Sequence, residues 1–299
     1  MSAPERVLRA GGRRLTLGGP PLLMGIVNAT PDSFSDAGEL ADTAARVARA
    51  RELAACGAAI VDVGGESAFG GRPPVPADEE AARVVPVIEA LARELDLLIA
   101  VDTYKPAVAE AAIAAGAHLV NDVSGLRDPE LADVCAGTGA GLVLMHTRVE
   151  PKATLLDPGH YDDVVADVRE FLEERIALAE AAGLHPEQLL LDPGPDFAKT
   201  PAQTVEVLRR LDMLHELGRP LLLAVSRKDF LGAITRRPPR ERDAATLAAV
   251  AFAADAGAHV VRVHDVCGAA DFLAVRAVLH GERVLAPGDG LTPDRYPDG

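Results

Sequence analysis

Eight short runs of β-branched residues or leucine recur along the chain, each followed by a longer Ala/Glu/Arg-rich stretch, and this alternation admits few folds. The runs occupy 22–27, 59–63, 98–101, 118–120, 142–145, 188–191, 221–225 and 259–263. Segments of helical period lie between them at about 40–56, 78–95, 106–115, 129–137, 161–182, 201–217 and 241–256, with a last one near 268–280. Strand and helix in alternation give a parallel sheet, either open and doubly wound or closed. Eight repeats tip the choice to the closed form, an α/β fold of the (β/α)8 TIM barrel type. The 299 residues are enough for two domains, but no linker or low-complexity segment interrupts the pattern. The expected organisation is a hairpin over 1–20 that closes the bottom of the barrel, one barrel over 21–285, and a mobile tail over 286–299 rich in Pro, Gly and Asp.

A weak internal repeat supports the same reading. Gly57-Ala58-Ala59-Ile60-Val61-Asp62, Gly116-Ala117-His118-Leu119-Val120-Asn121 and Gly257-Ala258-His259-Val260-Val261-Arg262 share a helix-ending glycine, a small residue, a few strand residues and a terminal polar group. Apolar strands that end repeatedly in Asp, Asn or Arg gather those groups at one rim. In barrels the rim at the strand C-termini is the active-site face.

Composition narrows the function. Lys and Arg number 30 against 45 Asp and Glu, a net charge of −15, and there is no Trp, so a phosphate-backbone or base-stacking surface is not expected. Cys56, Cys135 and Cys267 are far apart and form no CxxC, which predicts neither a disulfide nor a structural zinc site and a reducing, cytoplasmic setting. The longest apolar stretch, around Ala244 to Ala254, is too short to span a bilayer, and residues 1–14 lack the apolar segment of a secretion signal. No GxxxxGK[ST], HExxH or GxSxG occurs, and the Gly-rich run Gly137 to Gly141 precedes a strand instead of following one.

The chemistry-bearing residues sit at strand ends. A long polar loop carrying Asn28 follows the first strand, and Asp62-Val63-Gly64-Gly65-Glu66-Ser67 follows the second. Asp102, Asn121-Asp122 and Asp192 come next; any one of them reads equally well as a helix N-cap, but four at one rim do not. Carboxylates accept paired N–H donors and Asn offers a donor and an acceptor, which suits the edge of an amino-pyrimidinone heterocycle. Ser226-Arg227-Lys228 and Arg262-Val263-His264 end the last two strands, where barrels often hold phosphate. The alternative for each basic motif is a surface ion-pair cluster. The other histidines, His118, His160, His185, His215, His259 and His280, have no ligand spacing and read as structural or solvent-facing.

Taken in order, Met24 to Asp36, Asp62 to Ser67, Val101 to Thr103, Asn121 to Gly125, Met145-His146, Leu191 to Lys199, Ser226 to Lys228 and Arg262 to Val266 resemble the dihydropteroate synthases over residues 21–280. That resemblance implies a (β/α)8 barrel that dimerises and joins 6-hydroxymethyl-7,8-dihydropterin diphosphate to p-aminobenzoate, releasing diphosphate. It implies that Asp102, Asn121, Asp192 and Lys228 hold the pterin beside Asp62, with Met145 and Phe197 as apolar walls. Asn28, Arg262 and His264 then take the diphosphate, Asn28 helping to hold Mg2+. Asp102, Lys228, Arg262 and His264 are the residues expected to act in catalysis. Three places depart from the family pattern: Ala68-Phe69-Gly70 in the second loop, Pro195-Asp196 before Phe197, and Asp229 after Lys228. All border the side where the family binds its aryl amine, near the start of the helix after Lys228. The expected partners are therefore the pterin diphosphate, an aryl amine and a second copy of the chain, with neither nucleic acid nor membrane. Two rivals are a catalytically silent pterin-binding paralogue and a methyltetrahydrofolate-type methyltransferase, the second having no need of the diphosphate residues.

Overall fold

Runs rich in Val, Ile and Leu that are buried on both faces make the strands of a parallel sheet covered by helices. The computed structural model describes residues 5–29, 43–67 and 73–286. Two short strands, β1 (Arg6–Ala10) and β2 (Arg13–Leu17), form an antiparallel hairpin turning at Gly11-Gly12. The barrel strands follow: β3 (Leu22–Asn28), β4 (Ile60–Gly64), β5 (Leu98–Asp102), β6 (Leu119–Asp122), β7 (Gly141–Met145), β8 (Leu189–Asp192), β9 (Leu222–Leu223) and β10 (Val260–Val263). The helices are α1 (Thr43–Ala55), α2 (Ala77–Glu94), α3 (Pro106–Ala114), α4 (Glu130–Thr138), α5 (Val164–Ala181), α6 (Pro201–Arg209), α7 (Asp212–His215), α8 (Asp229–Thr235), α9 (Asp243–Asp255) and α10 (Val266–Leu279). Strands pair in parallel in the order β8-β7-β6-β5-β4-β3-β10-β9, and a parallel bridge between Leu191 and Leu221 joins β8 to the start of β9. The eight-stranded barrel read from the sequence is therefore the fold.

Alternation along each strand sorts the core into two clusters. One face of each strand packs outward on the helices, as with Val61, Val63, Ile99 and Val101. The other face fills the barrel, with Met24, Ile60, Leu98, Leu119, Val143, Leu190, Leu222 and Val260 in one cluster. Leu8, Ala10 and Leu17 of the hairpin belong to that inner cluster, so the hairpin closes the end where the strands begin. The repeat glycines Gly116 and Gly257 end their helices with positive φ, and the histidines after them are structural. His118 Nδ1 accepts from the Ile99 N–H and His259 Nδ1 from the Leu221 N–H, each at 3.1 Å.

Three expectations need correction. The helix anticipated over 201–217 is interrupted at Arg210, where φ −120° and ψ 35° leave helical geometry, and α8 adds a short helix that no apolar period announces. The cysteines are not independent. Cys56, just after α1, and Cys267, in the first turn of α10, form a disulfide with Cα atoms 4.8 Å apart. Their separation of 211 residues hides the pairing in the sequence; β10 lies beside β3, and closing the barrel brings the first and last helices together. Cys135 stays a buried free thiol, pushed up to about 12 by burial. Residues 287–299 of the expected tail lie outside the described residues. Among the described residues no helix is long and apolar enough to cross a membrane.

A cross-link closing so long a loop restricts the unfolded chain and stabilises by roughly 2–4 kcal/mol. We expect reductant to lower the melting temperature by about 5–10 °C and to leave a Cys267→Ser variant unchanged. Non-reducing peptide mapping that recovers both thiols free, or melting indifferent to reductant, would contradict the pairing.

Candidate active site

The inward parity that fills the barrel also builds its mouth. Two or four residues beyond the inner apolar layer, the same faces of the strands present Asn28, Asp62, Asp102, Asn121, Met145, Asp192, Ser226 and Arg262. Strand register keeps them level: Asp102 pairs with Asn121 and Met145 with Asp192.

A charged network spans the mouth. The Arg262 guanidinium reaches from β10 to β4 and β5, with Nε 2.6 Å from Asp62 Oδ2 and Nη2 2.7 Å from Asp102 Oδ2. Asn121 donates its amide to the same Asp62 oxygen at 3.1 Å. Asp62 is fully buried, and its Oδ1 has no hydrogen-bond partner among the described residues. Burial pushes Asp102 up to about 7 despite the nearby Arg262, with Asp62 adding to the rise. Arg262 thus gives both acids a charged partner within the protein. Facing this network, Asp192 is buried and accepts the Gly194 N–H at 2.8 Å. Burial raises its pKa, partly offset by that N–H and by Lys228. The Lys228 ammonium lies 4.4 Å from the centre of the Phe197 ring, and burial lowers its pKa. Met145 is buried beside them.

His264 does not behave as a base. Burial, then Arg227 and Arg262, pull it down to about 3, so it is neutral at pH 7. Its backbone N–H donates to Ser226 Oγ at 3.2 Å, and that hydroxyl lies 2.9 Å from His264 Nδ1. A neutral imidazole has one N–H donor and one acceptor nitrogen, and the Ser226 hydroxyl can complement either role at Nδ1. His264 thus stands in the basic motif as a neutral group, and Arg262 carries its charge.

At the start of α8 the structure singles out a residue other than Asp229. The Asp229 side chain is 72% exposed and pairs with Arg242 at 3.0 Å. The backbone N–H groups of Asp229 and Phe230 instead donate to the carboxylate of Asp196, at 2.5 and 3.3 Å. Asp196 arrives from the loop after β8, a pairing across 33 positions that only the fold creates. Lys199, which in the sequence is only the end of the Leu191 to Lys199 motif with no role of its own, is 1% exposed and bonded to His146, Gly194 and Phe197. On the opposite side Glu66 pairs with Lys105, Lys152 and Tyr104, tying the loops after β4, β5 and β7 together. Burial would raise Glu66, but Lys105, Lys152 and the Val75 N–H outweigh it and hold the acid below its ordinary value. Ala68, Phe69, Gly70 and the loop over 30–42 lie outside the described residues. Among the described residues no group of three or more His, Cys, Asp or Glu is placed to hold a metal ion; Asn28 ends β3 on the parity that faces the mouth.

The comparisons with known proteins agree with this geometry. The family model described as pterin binding enzyme matches residues 24–264. The dihydropteroate synthase of Escherichia coli (strain K12) is 43% identical over 82% of this chain and 87% of its own. A probable bifunctional folylpolyglutamate synthase/dihydropteroate synthase of Haloferax volcanii is 47% identical over 82% of this chain, but the matched part spans only 29% of that longer protein. Among solved structures, the dihydropteroate synthase of Xanthomonas albilineans with 4-aminobenzoic acid superposes with a TM-score of 0.85 at 46% identity, over 93% of this chain and 99% of that one. A barrel whose mouth holds these acids, amide and cations, matched over most of its length by such relatives, belongs to the pterin-binding enzymes, in the dihydropteroate synthase family.

Proposed function

We propose that this chain condenses 6-hydroxymethyl-7,8-dihydropterin diphosphate with an aryl amine of the p-aminobenzoate type, releasing diphosphate. The observation that carries the reading is the convergence of Asp62, Asp102, Asn121, Asp192 and Lys228 in one mouth, with Asp62 Oδ1 buried and unsatisfied among the described residues. A buried acceptor of this kind is normally paired, so a ligand N–H is its natural complement. The Xanthomonas relative, bound to 4-aminobenzoic acid, supports the amine class. A silent paralogue would still need Arg262 to balance Asp62 and Asp102, but it has no need of His264 beside that guanidinium, and a methyltransferase has no diphosphate to receive.

In this reading Asp192 accepts N–H groups from the pterin's aminopyrimidinone edge, Asn121 adds its donor and acceptor, and Lys228 donates from the Phe197 side. Loss of diphosphate leaves positive charge on the pterin, and Asp102 and Asp62 stabilise it in a site that excludes most water. Arg262 uses Nε and Nη2 on these acids and keeps further N–H donors for diphosphate oxygens. His264 adds a neutral imidazole beside that guanidinium. The amine nitrogen then attacks the exocyclic carbon, and no protein nucleophile is needed.

The residues fit Mg2+ as a substrate-borne ion. Mg2+ keeps several waters and commonly takes one or two protein oxygens together with phosphates, and Asn28 offers one such oxygen at the strand end. When bound there, Mg2+ would neutralise charge on the departing diphosphate. A soluble homodimer is part of the same proposal, whereas the reducing, cytoplasmic setting loses its cysteine argument once Cys56 and Cys267 are bonded.

Three measurements test this reading. Asp192→Asn turns a ligand-accepting oxygen into a donor, and we expect pterin affinity to fall by about 2–3 kcal/mol, roughly 30- to 150-fold in Kd. Unchanged calorimetric affinity in the folded variant removes the assignment. Chelation of divalent metal should stop turnover while bare pterin still binds; full activity without metal contradicts the role of Asn28. On the amine side, the Asp196 carboxylate already occupies the N–H groups at the start of α8 that an anionic amine would use, disfavouring such an amine by roughly 1 kcal/mol. We expect sulfonamides and p-aminobenzoate to bind several-fold more tightly to a combined Ala68→Thr, Phe69→Arg, Gly70→Pro, Asp196→Gly, Asp229→Ser variant. Equal sulfonamide inhibition constants for the two proteins would show that the altered residues do not weaken binding.

A further inference from the structure

The loop after β8 adopts a backbone that its residues do not favour. Gly194, Asp196 and Ala198 all have positive φ, at 65°, 65° and 50°. Glycine accepts this freely, and at Gly194 it is required because a Cβ would run into the His146 carbonyl oxygen. Asp tolerates it moderately, and alanine does so only where its surroundings over-determine the geometry. This turn also carries the wall of the mouth. Gly194 N–H holds Asp192, Phe197 lies under Lys228, and Asp196 holds the start of α8.

Lys199 ends the turn and is 1% exposed, and among the described residues it pairs directly with no carboxylate. Its Nζ lies 2.6 Å from His146 Nδ1, 3.0 Å from the Gly194 carbonyl and 3.1 Å from the Phe197 carbonyl. Three acceptors match the three N–H donors of an ammonium, whereas a neutral amine would leave one unsatisfied. His146 can accept because burial, then Lys199, pull its pKa down to about 3 and keep the ring neutral, while its Nε2 lies 2.8 Å from Asp167. Asp167 is held in turn by both arms of Arg148, at 3.0 and 2.9 Å. The chain Lys199–His146–Asp167–Arg148 thus anchors the β8 loop to the β7 loop and α5. Burial lowers Lys199 to about 7, with Asp192 and Asp167 opposing that fall, so the ammonium is held at an energetic disadvantage. A surface lysine would avoid that disadvantage, so its burial here needs a reason in the turn it fastens.

We propose that Lys199 is a positioning residue for the pterin pocket, clamping the carbonyls on either side of Asp196 so that Asp192, Phe197 and Lys228 are held in register. The inference rests on the reading of those three residues as pterin-binding. Lys199 itself touches no substrate.

The test uses the full-length protein with bare pterin as the probe. Lys199→Met keeps length and loses all three donors, and its pterin Kd rises about tenfold or more with far-UV dichroism unchanged. Adding Ala198→Gly removes the steric objection to the turn and recovers roughly threefold or more of the lost affinity. A Lys199→Met variant that binds within about twofold of wild type overturns the proposal, and so does a loss that Ala198→Gly leaves untouched. A measurement on the unaltered protein covers the case in which the variant does not fold. In protein labelled with 15N-lysine, the Lys199 ammonium hydrogens exchange more slowly once pterin is bound, and an unchanged rate overturns the coupling. Wild type that fails to bind pterin at all removes the functional reading and this one with it. Wild type that binds beside an unaffected Lys199→Met removes the positioning role alone.

Discussion

Alternation of side chains along eight parallel strands is the constraint on which the rest of this molecule depends. Because successive residues point to opposite faces, the parity that seats Met24, Ile60, Leu98 and Val260 in the barrel also turns Asn28, Asp62, Asp102 and Arg262 into its mouth. A one-residue slip in any strand would move its functional group to the helix side along with its core residue. Core packing and site assembly are therefore one problem with one solution. The hairpin β1–β2 closes the far end, leaving a single open face.

The mouth contains more charge than a barrel interior readily tolerates, and the way it is balanced shapes the chemistry. Asp62 and Asp102 come from neighbouring strands and would repel each other without Arg262 between them. Separating those acids from the guanidinium bonded to both would strand buried charge, which is strongly destabilising, so Arg262 acts as a structural group as well as a ligand for anions. A guanidinium suits both tasks because its donors form a rigid fork with members to spare. Burial shapes the remaining states: His264 is neutral, and the Asp102 carboxyl is pushed above its ordinary range even beside Arg262.

The second feature of the site is the loop after β8, which is built against local preference and held by contacts from elsewhere. Asp196 takes the N–H groups at the start of α8, and Lys199 fastens the turn to β7 through His146. Strain of this kind persists where surrounding structure over-determines it, most often beside a functional site. One short turn therefore couples the wall near Phe197 to the amine side near Asp229.

Much of this was legible in the residues alone. The eight-strand count, the hairpin and the convergence of Asp62, Asp102, Asn121, Asp192, Lys228 and Arg262 follow from period and strand-end chemistry, which are local properties of the chain. What the sequence did not reveal depends on distance. The Cys56–Cys267 bond spans 211 residues, the Asp196 cap crosses 33, and Lys199 meets His146 across 53. No spacing rule announces such pairs, because they exist only once the barrel closes and sets separate loops side by side. The protonation states are also decided by the tertiary structure, since burial and neighbouring charge move a pKa and neither belongs to a residue by itself. The sequence thus determined which groups line the rim, whereas closure of the barrel decided which of them touch and in what charge state.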